Sequence, residues 1–174
     1  MRYLTAQVLV FNITKGMIKQ LVVIRHAQAE SHHKDFEREL SAFGIKQIES
    51  IAKKISIQAI KIDKVLYSAA KRTKQSAELL VSQLGQKIAM EADDQLYLCS
   101  ASYLYDAIAI TDSSIATLCL IGHNPGISEF VNSLIQTPIF RELETANVYV
   151  INLNINNWTE IYQNNTSNYF NIVP

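Results

Sequence analysis

The stretch "LVVIRHAQAE", residues 21–30, joins four consecutive apolar residues directly to an arginine and a histidine. A short apolar run of this kind is typical of a buried strand in a parallel sheet. Because Arg25 and His26 follow the run at once, the strand is predicted to deliver both side chains to its carboxyl end. Open α/β sheets bind their ligands beyond the carboxyl ends of the strands, so a functional site is expected at this edge.

Composition predicts one compact domain and excludes several classes of partner. The chain has 174 residues, and 48% of them are hydrophobic, which is enough for a full core. Lys+Arg and Asp+Glu number 16 each, so the formal net charge is zero. A balanced charge gives no broad basic surface, and neither nucleic acid nor a membrane is expected as a partner. No apolar run reaches the roughly 18 residues that a membrane span needs.

The cysteines and the loop histidines give no sign of a metal or a disulfide framework. Cys99 and Cys119 lie in apolar or small-residue surroundings, without a CxxC pair or a Cys/His cluster. Reduced thiols and a cytoplasmic location are therefore expected, with no metal. His32 and His33 lie in a polar loop with few further ligands nearby, and they are interpreted as surface residues.

The start of the chain is predicted to stand apart from the domain. "MIKQLVVIRHA", from Met17, reads like a natural protein start, so the domain is predicted to span 17–174. Residues 1–16 are predicted to be an extension that lacks the cleavage site of a secretory leader. An added strand, a flexible segment and an upstream start codon all remain open for it.

Apolar runs and helical stripes alternate along the chain. This alternation favours βαβ units and a three-layer α/β/α sandwich with a mostly parallel central sheet. Residues 146–153 and 158–162, joined by the turn-prone "NINN", are predicted to form a closing hairpin, which makes at least one edge strand antiparallel. The other predicted strands are 21–24, 62–67, 87–90 and 116–121; the predicted helices follow Ser41, cover 69–84, follow Ser100 and cover 127–135.

Polar and glycine residues mark the predicted helix ends. Ser41 and Ser100 are predicted N-caps, and the second helix is predicted to stop near Gly85. In "GHNPG", Asn124 is a predicted N-cap and Pro125 a predicted first helical residue.

Polar side chains follow three of the predicted strands at the edge where parallel strands end together. Guanidinium groups bind phosphoryl oxygens in pairs, and a neutral imidazole is a capable nucleophile near pH 7. The set therefore favours phosphoryl chemistry, with His26 attacking phosphorus and a backbone carbonyl fixing the tautomer of its ring. The same residues also allow ordinary structural interpretations. Each histidine could be a capping or surface residue, and "GHNPG" could be a simple turn that starts a helix. The residues concerned are Arg25, His26, Ser68, Arg72, His123 and Asn124, with Arg38 from the loop before the first helix.

Four ordered motifs resemble those of the histidine phosphatase superfamily, and within it the small branch of SixA-type phosphohistidine phosphatases. They are "VVIRHAQAE", "DFERELSAFG", "VLYSAAKRTKQSAELL" and "LCLIGHNPGISEF", and the similarity runs from about Leu21 to Leu153. The resemblance implies a phosphoglycerate mutase-like α/β/α fold. It also implies phosphoryl transfer through a phosphohistidine intermediate, without a metal or any other cofactor.

The resemblance also implies a role for each matching residue. His26 would be the nucleophile, Arg25 and Arg72 the phosphate-binding arginines, and His123 the second histidine, which contacts the phosphoryl oxygens. The same reasoning makes Arg38 and Asn124 further phosphate-binding residues. Thr145, in the late strand, would lie near the pocket at most.

Two departures from the family pattern bear on the substrate. Ala27 replaces the glycine that often follows the first histidine, which we interpret as a mark of the small branch. Larger members carry a carboxylate before the third helix, but "LYLCSAS", residues 96–102, contains none. An alkoxide leaving group needs a proton donor, whereas the imidazole of a phosphohistidine is far less basic. The candidate replacements elsewhere are Glu30, Glu91, Asp93 and Asp94.

The sequence therefore favours a phosphohistidine phosphatase that acts on a protein, such as a histidine phosphotransfer domain. A chain this short leaves no room for large insertions around the site, so a shallow pocket that a protein side chain can enter is expected. A phosphatase for small phosphate esters and a non-catalytic phosphate-binding domain are the alternatives.

Overall fold

A computed structural model describes residues 18–135 and 142–174, so the predicted extension lies outside the described residues. The described part contains one sheet of six strands and four α-helices. The strands are β1 (Ile18–Arg25), β2 (Lys64–Ser68), β3 (Ala89–Asp93), β4 (Thr117–Gly122), β5 (Val148–Asn154) and β6 (Thr166–Ile172). The helices are α1 (Ala42–Ile57), α2 (Lys71–Leu84), α3 (Ala101–Ala109) and α4 (Gly126–Ile135).

The strand order β3-β2-β4-β1-β5-β6 brings the predicted site elements side by side. β2 is parallel to β3 and β4, and β4 is parallel to β1. β5 runs antiparallel to β1, and β6 runs antiparallel to β5, which confirms the mostly parallel sheet with an antiparallel edge. Because β2, β4 and β1 are neighbours that end at one edge, the residues that follow them meet there.

Two hydrophobic cores lie on opposite faces of the sheet and produce the predicted three layers. Residues alternate between the faces along β1, as the two-residue period of a strand requires. Val22 and Ile24 join the core under α1 and α2, whereas Leu21 and Val23 join the core under α3 and α4. All four side chains are fully buried, which explains the continuous apolar run of the sequence. Among the described helices, none has both the length and the apolar character needed to cross a bilayer.

The helix ends largely agree with the sequence. The Ser41 hydroxyl accepts a hydrogen bond from the Gly44 N–H at the start of α1, and Ser100 does the same for Tyr103 at the start of α3. Gly85 ends α2 in the left-handed conformation, with φ 62°. These features confirm the predicted helix ends: the two serines each satisfy an unpaired N–H group, and Gly85 adopts the left-handed conformation that favours glycine.

The prediction that residues 158–162 form the second strand of the closing hairpin is wrong. Residues Trp158–Gln163 form a 3₁₀ helix, and β6 is the strand that pairs with β5. The segment begins with a capping box between Asn157 and Glu160, a helix-start signal that outweighs the apolar residues within it. The Trp158 side chain is 1% exposed and its indole N–H donates to the Ile115 carbonyl at 2.9 Å, so the core under α3 and α4 fixes this helical turn.

Gly44, the glycine of the "DFERELSAFG" motif, lies where no larger residue fits without a shift of the backbone. A Cβ atom at this position would lie 2.0 Å from the Gln28 carbonyl oxygen, which the Ser41 N–H already holds at 2.9 Å. We expect Gly44→Ala to lower the free energy of unfolding by about 1–3 kcal/mol, measured by urea denaturation, because two backbone segments must separate.

Gly85→Ala is the matched control, because a Cβ there meets nothing within 4 Å. Only the left-handed φ would then oppose the substitution, at about 1–2 kcal/mol. An unchanged or increased stability of Gly44→Ala would show that the Gln28 segment moves aside without cost.

Candidate active site

A pocket of about 450 Å³ opens at the sheet edge where β1, β2 and β4 end. Every side chain named in the sequence as a catalytic or phosphate-binding candidate lines this pocket, and so does Thr145. Ser68 lies behind it. The lining residues are Arg25, His26, Gln28, Ala29, Asp35, Arg38, Arg72, Leu98, His123, Asn124 and Thr145.

His26 follows β1 directly and is held in one orientation. Its side chain is 8% exposed, and Nδ1 lies 2.8 Å from the Ala27 carbonyl oxygen. Since a carbonyl only accepts, Nδ1 carries the proton and Nε2 keeps its lone pair. Burial lowers the pKa of His26 to about 4, against the opposing effect of the Ala27 carbonyl and with a smaller contribution from Arg72. The imidazole is therefore neutral at pH 7, and its unprotonated Nε2 accepts a hydrogen bond from Nε of Arg72.

His123 follows β4 and lies against His26, with 5.0 Å between the ring centroids. Its Nδ1 is 3.2 Å from Nη2 of Arg72, and its Nε2 is 2.9 Å from the Ser68 hydroxyl. A guanidinium only donates, so Nδ1 of His123 accepts and Nε2–H donates to Ser68. Burial, with smaller contributions from the neighbouring His26 and Arg72, lowers the pKa of His123 to about 3. The second histidine is thus also neutral at pH 7.

Arg72, in the first turn of α2, connects the two histidines. Its side chain is 3% exposed, and its Nε–H donates to Nε2 of His26 at 3.1 Å. The guanidinium also donates to the Asp35 backbone carbonyl at 2.7 Å and to the Asp35 carboxylate at 3.0 Å. One buried cation therefore contacts both imidazoles and an anion at once.

Two further arginines add positive charge to the pocket. Arg25, at the end of β1, donates from Nη1 to the Leu143 carbonyl. Burial lowers the pKa of Arg25 from its usual value, an effect that Glu142 partly offsets. The group remains a cation at physiological pH, since arginine does not lose its proton in proteins. Arg38 donates to the Glu30 carbonyl at 2.8 Å and to the Asp35 carboxylate at 3.1 Å, so it enters the wall from the loop before α1.

Asn124 supports the pocket wall instead of capping α4. Its amide nitrogen donates to the Glu142 carboxylate and to the Leu143 carbonyl, both at 3.0 Å. Its amide oxygen accepts from the Ser128 hydroxyl at 2.7 Å, and α4 begins at Gly126. The predicted N-cap at Asn124 and helical start at Pro125 are therefore wrong, because the side chain ties the strand end to the segment before β5.

Thr145 belongs to the same wall as Asn124. The side-chain amide of Gln47, on α1, donates to the Thr145 hydroxyl at 3.1 Å and to its carbonyl at 3.2 Å. The other end of the Gln47 amide accepts from the Gln28 N–H at 2.9 Å. Gln47 thereby joins the loop after His26 to the segment before β5. These hydrogen bonds fix the positions of the two segments relative to each other.

Sequence reasoning missed Asp35, which lines the pocket, and Tyr97, which contacts both Asp35 and His123. The Tyr97 hydroxyl donates to the Asp35 carboxylate at 2.6 Å, and its ring lies edge-on to His123 with 5.4 Å between the ring centroids. The bond from Tyr97, and then the charges of Arg38 and Arg72, hold the pKa of Asp35 far below its usual range. Asp35 is thus an ionised carboxylate in the pocket, and it is not a proton donor.

None of the four acids proposed as replacements lines the described pocket. Asp93 accepts from the Tyr103 hydroxyl at 2.8 Å, and Glu91 pairs with Lys64 at 2.7 Å. Glu30 lies in a separate groove of about 610 Å³. Asp94 begins a short 3₁₀ helix outside the pocket lining.

The loop histidines and the cysteines lie away from the pocket. His32 and His33 are exposed, as the sequence predicts, and they line the separate groove. Cys99 and Cys119 are free thiols. Within residues 18–135 and 142–174, no group of three or more His, Cys, Asp or Glu side chains is arranged to hold a metal ion.

The chain has the phosphoglycerate mutase-like α/β/α fold, with both histidines at one edge of its sheet. The family model described as "Histidine phosphatase superfamily (branch 1)" matches residues 21–97, a range that contains Arg25, His26 and Arg72. This match confirms the resemblance to the histidine phosphatase superfamily. No curated protein matches the chain significantly.

Solved structures assigned as SixA share this fold. The phosphohistidine phosphatase SixA of Nakamurella multipartitia superposes with a TM-score of 0.80 at 20% identity, covering 90% of this chain and 96% of its own. A protein histidine phosphatase SixA solved with tungstate gives 0.76 at 21% identity, covering 89% and 97%. An assigned α-ribazole-5′-phosphate phosphatase of Escherichia coli gives 0.64 at 13% identity, covering 89% and 95%. Proteins assigned to different phosphorylated substrates therefore share the fold of this chain.

Proposed function

We propose that the chain is a phosphatase that removes the phosphoryl group from phosphohistidine on a protein, with His26 as the nucleophile. One observation carries the proposal: a buried neutral imidazole presents its unprotonated Nε2 beside the guanidinium of Arg72. A nucleophile of this kind needs no base to remove a proton before it attacks.

The reaction takes place in two displacements at phosphorus. The hydrogen bond from Nε of Arg72 to Nε2 of His26 breaks, and the freed lone pair attacks the phosphorus atom as the substrate P–N bond breaks. The bonding electron pair passes to the leaving imidazole, which takes up a proton. Water then attacks the phosphohistidine, inorganic phosphate forms, and Nε2 regains its lone pair. Arg25 and Arg72 stabilise the charge on the phosphoryl oxygens during both steps, and His123 holds Arg72 in place through Nδ1.

The state of Asp35 favours a phosphohistidine over a phosphate ester. Asp35 is the carboxylate that lines the described pocket, and its three donors keep it ionised. It cannot protonate an alkoxide, and a missing general acid typically costs a factor of about 10²–10⁴ in rate. The ring nitrogen of a phosphohistidine can be protonated by solvent before the P–N bond breaks, so it leaves without such a donor.

The rim of the pocket suits a substrate presented on another protein. The Leu98 side chain is 51% exposed and the Asp35 side chain 46% exposed, so solvent reaches the edge above the buried histidines. A phosphorylated side chain on a histidine phosphotransfer domain is therefore the proposed partner. The solved SixA with bound tungstate, a tetrahedral oxyanion, is consistent with a phosphoryl site in this fold.

The substrate class is tested by comparing three kinds of phosphate in the presence of EDTA. We expect kcat/KM for a phosphohistidine protein to exceed that for alkyl phosphate esters by about 10²–10⁴, because only the esters need the missing acid. p-Nitrophenyl phosphate is the matched control, since its leaving group is weakly basic and should be released faster than an alkoxide. Faster hydrolysis of alkyl esters than of phosphohistidine would favour the ester phosphatase, and phosphate binding without any turnover would favour the non-catalytic domain.

A further inference from the structure

Asp35 occupies the donors of Arg72 that a phosphoryl group would need. Nη1 of Arg72 donates to the Asp35 carbonyl, and Nη2 donates to the Asp35 carboxylate. Nε of the same guanidinium is directed at His26, and Nη2 also lies next to His123. Because guanidinium binds phosphoryl oxygens through these same N–H groups, Asp35 and a phosphoryl oxyanion compete for one cation.

Asp35 lies on an exposed loop and keeps a second cation as its partner when it leaves Arg72. Asp35 begins a short 3₁₀ helix, Asp35–Glu37, in which all three residues are exposed. Arg38 lies on the same loop and binds the other carboxylate oxygen, so a displaced Asp35 still has a cation as its partner. Arg72 is anchored in α2 and buried at 3% exposure. The loop can therefore give way while the guanidinium stays in place.

We propose that Asp35 is an internal competitor for the phosphoryl oxyanion at Arg72, and that it weakens the binding of inorganic phosphate, the product. The inference rests on the proposed function, because it takes the ligand of Arg72 to be a phosphoryl group. A carboxylate on the same chain acts at an effective concentration of about millimolar or more, so it rebinds Arg72 whenever the product loosens. A protein substrate gains further contacts at the rim and overcomes this competition, whereas free phosphate does not.

Titration of the purified full chain with inorganic phosphate, followed by calorimetry, tests the competition without any turnover. Asp35→Asn keeps the shape of the side chain and removes its charge, and we expect the Kd for phosphate to fall by about three- to tenfold. Tyr97→Phe removes one donor that holds Asp35 in place and should lower the Kd by a smaller factor. An unchanged or higher Kd in Asp35→Asn would overturn the proposal and make Asp35 a positioning residue for Arg72.

Glu37→Gln is the matched control, because Glu37 lies in the same 3₁₀ helix but outside the pocket lining. It changes the net charge by the same amount, and we expect the Kd for phosphate to stay within twofold of the unmodified chain. Equal tightening in both variants would show a long-range charge effect and overturn the proposal. Tighter phosphate binding by Asp35→Asn in a chain that does not hydrolyse phosphohistidine would refute the proposed function and leave the competition standing.

Discussion

His26→Ala is expected to abolish turnover and to eliminate the phosphoenzyme. The methyl group has no lone pair to attack phosphorus, so the covalent intermediate cannot form at position 26. Removal of a nucleophile from a covalent mechanism lowers kcat by about 10⁴–10⁶-fold. The measurement is a single-turnover reaction with radiolabelled phosphohistidine protein, followed by a gel that retains acid-labile phosphate on the chain.

His33→Ala is the control for a general effect of losing an imidazole, since His33 is exposed and lines the separate groove. It should retain the activity and the phosphoenzyme of the unmodified chain. His123→Ala separates the two pocket histidines: it should slow turnover but still allow label to reach His26. Retained phosphoenzyme in His26→Ala would remove His26 from the nucleophilic role.

Much of the fold could be predicted from the sequence because local signals and tertiary packing agree. The run Leu21 to Ile24 is apolar at every position because both faces of β1 are covered by helices, which is typical of a strand in a parallel sheet. Ser41 and Ser100 have the side chain that a helix start needs, and the structure uses both. The site residues at strand ends follow from the same logic, since their position along the chain fixes the edge to which they belong.

The contacts across the pocket could not be predicted, because they depend on where loops cross the edge of the sheet. Asp35 and Tyr97 are 62 positions apart in the chain and meet through one hydrogen bond of 2.6 Å. Neither residue lies at the end of a predicted strand. The segment "LYLCSAS" contains Tyr97 but no acid, and the role of Tyr97 depends on a carboxylate in another loop. The "DFERELSAFG" motif did contain Asp35, three residues before Arg38, and that spacing was the available signal.

The wrong prediction of a strand at 158–162 also has a physical cause. Trp158 and Ile161 are apolar enough for a strand, and they are buried in the structure, but at helical spacing in a single turn. The segment 158–162 is too short to distinguish the period of a helix from the two-residue period of a strand. The strand that pairs with β5 instead contains five exposed residues in a row, Ser167 to Asn171, so it lacks the alternation of buried and exposed residues that predicts a strand.

Arg72→Lys is expected to lower kcat/KM for phosphohistidine by about 10²–10³-fold, although the charge is kept. An ammonium group cannot donate in one plane to Nε2 of His26, to Nδ1 of His123 and to a phosphoryl oxygen, as the guanidinium can. Arg72→Ala should lose more activity, and added guanidinium ion should restore part of it.

Lys71→Ala is the control, because Lys71 is the exposed neighbour of Arg72. Its one described ion pair is with Glu39, and the variant should retain activity within twofold. Thermal unfolding of each variant separates loss of activity from loss of fold; a folded Arg72→Lys with nearly full activity would contradict a planar, multidentate role for this arginine.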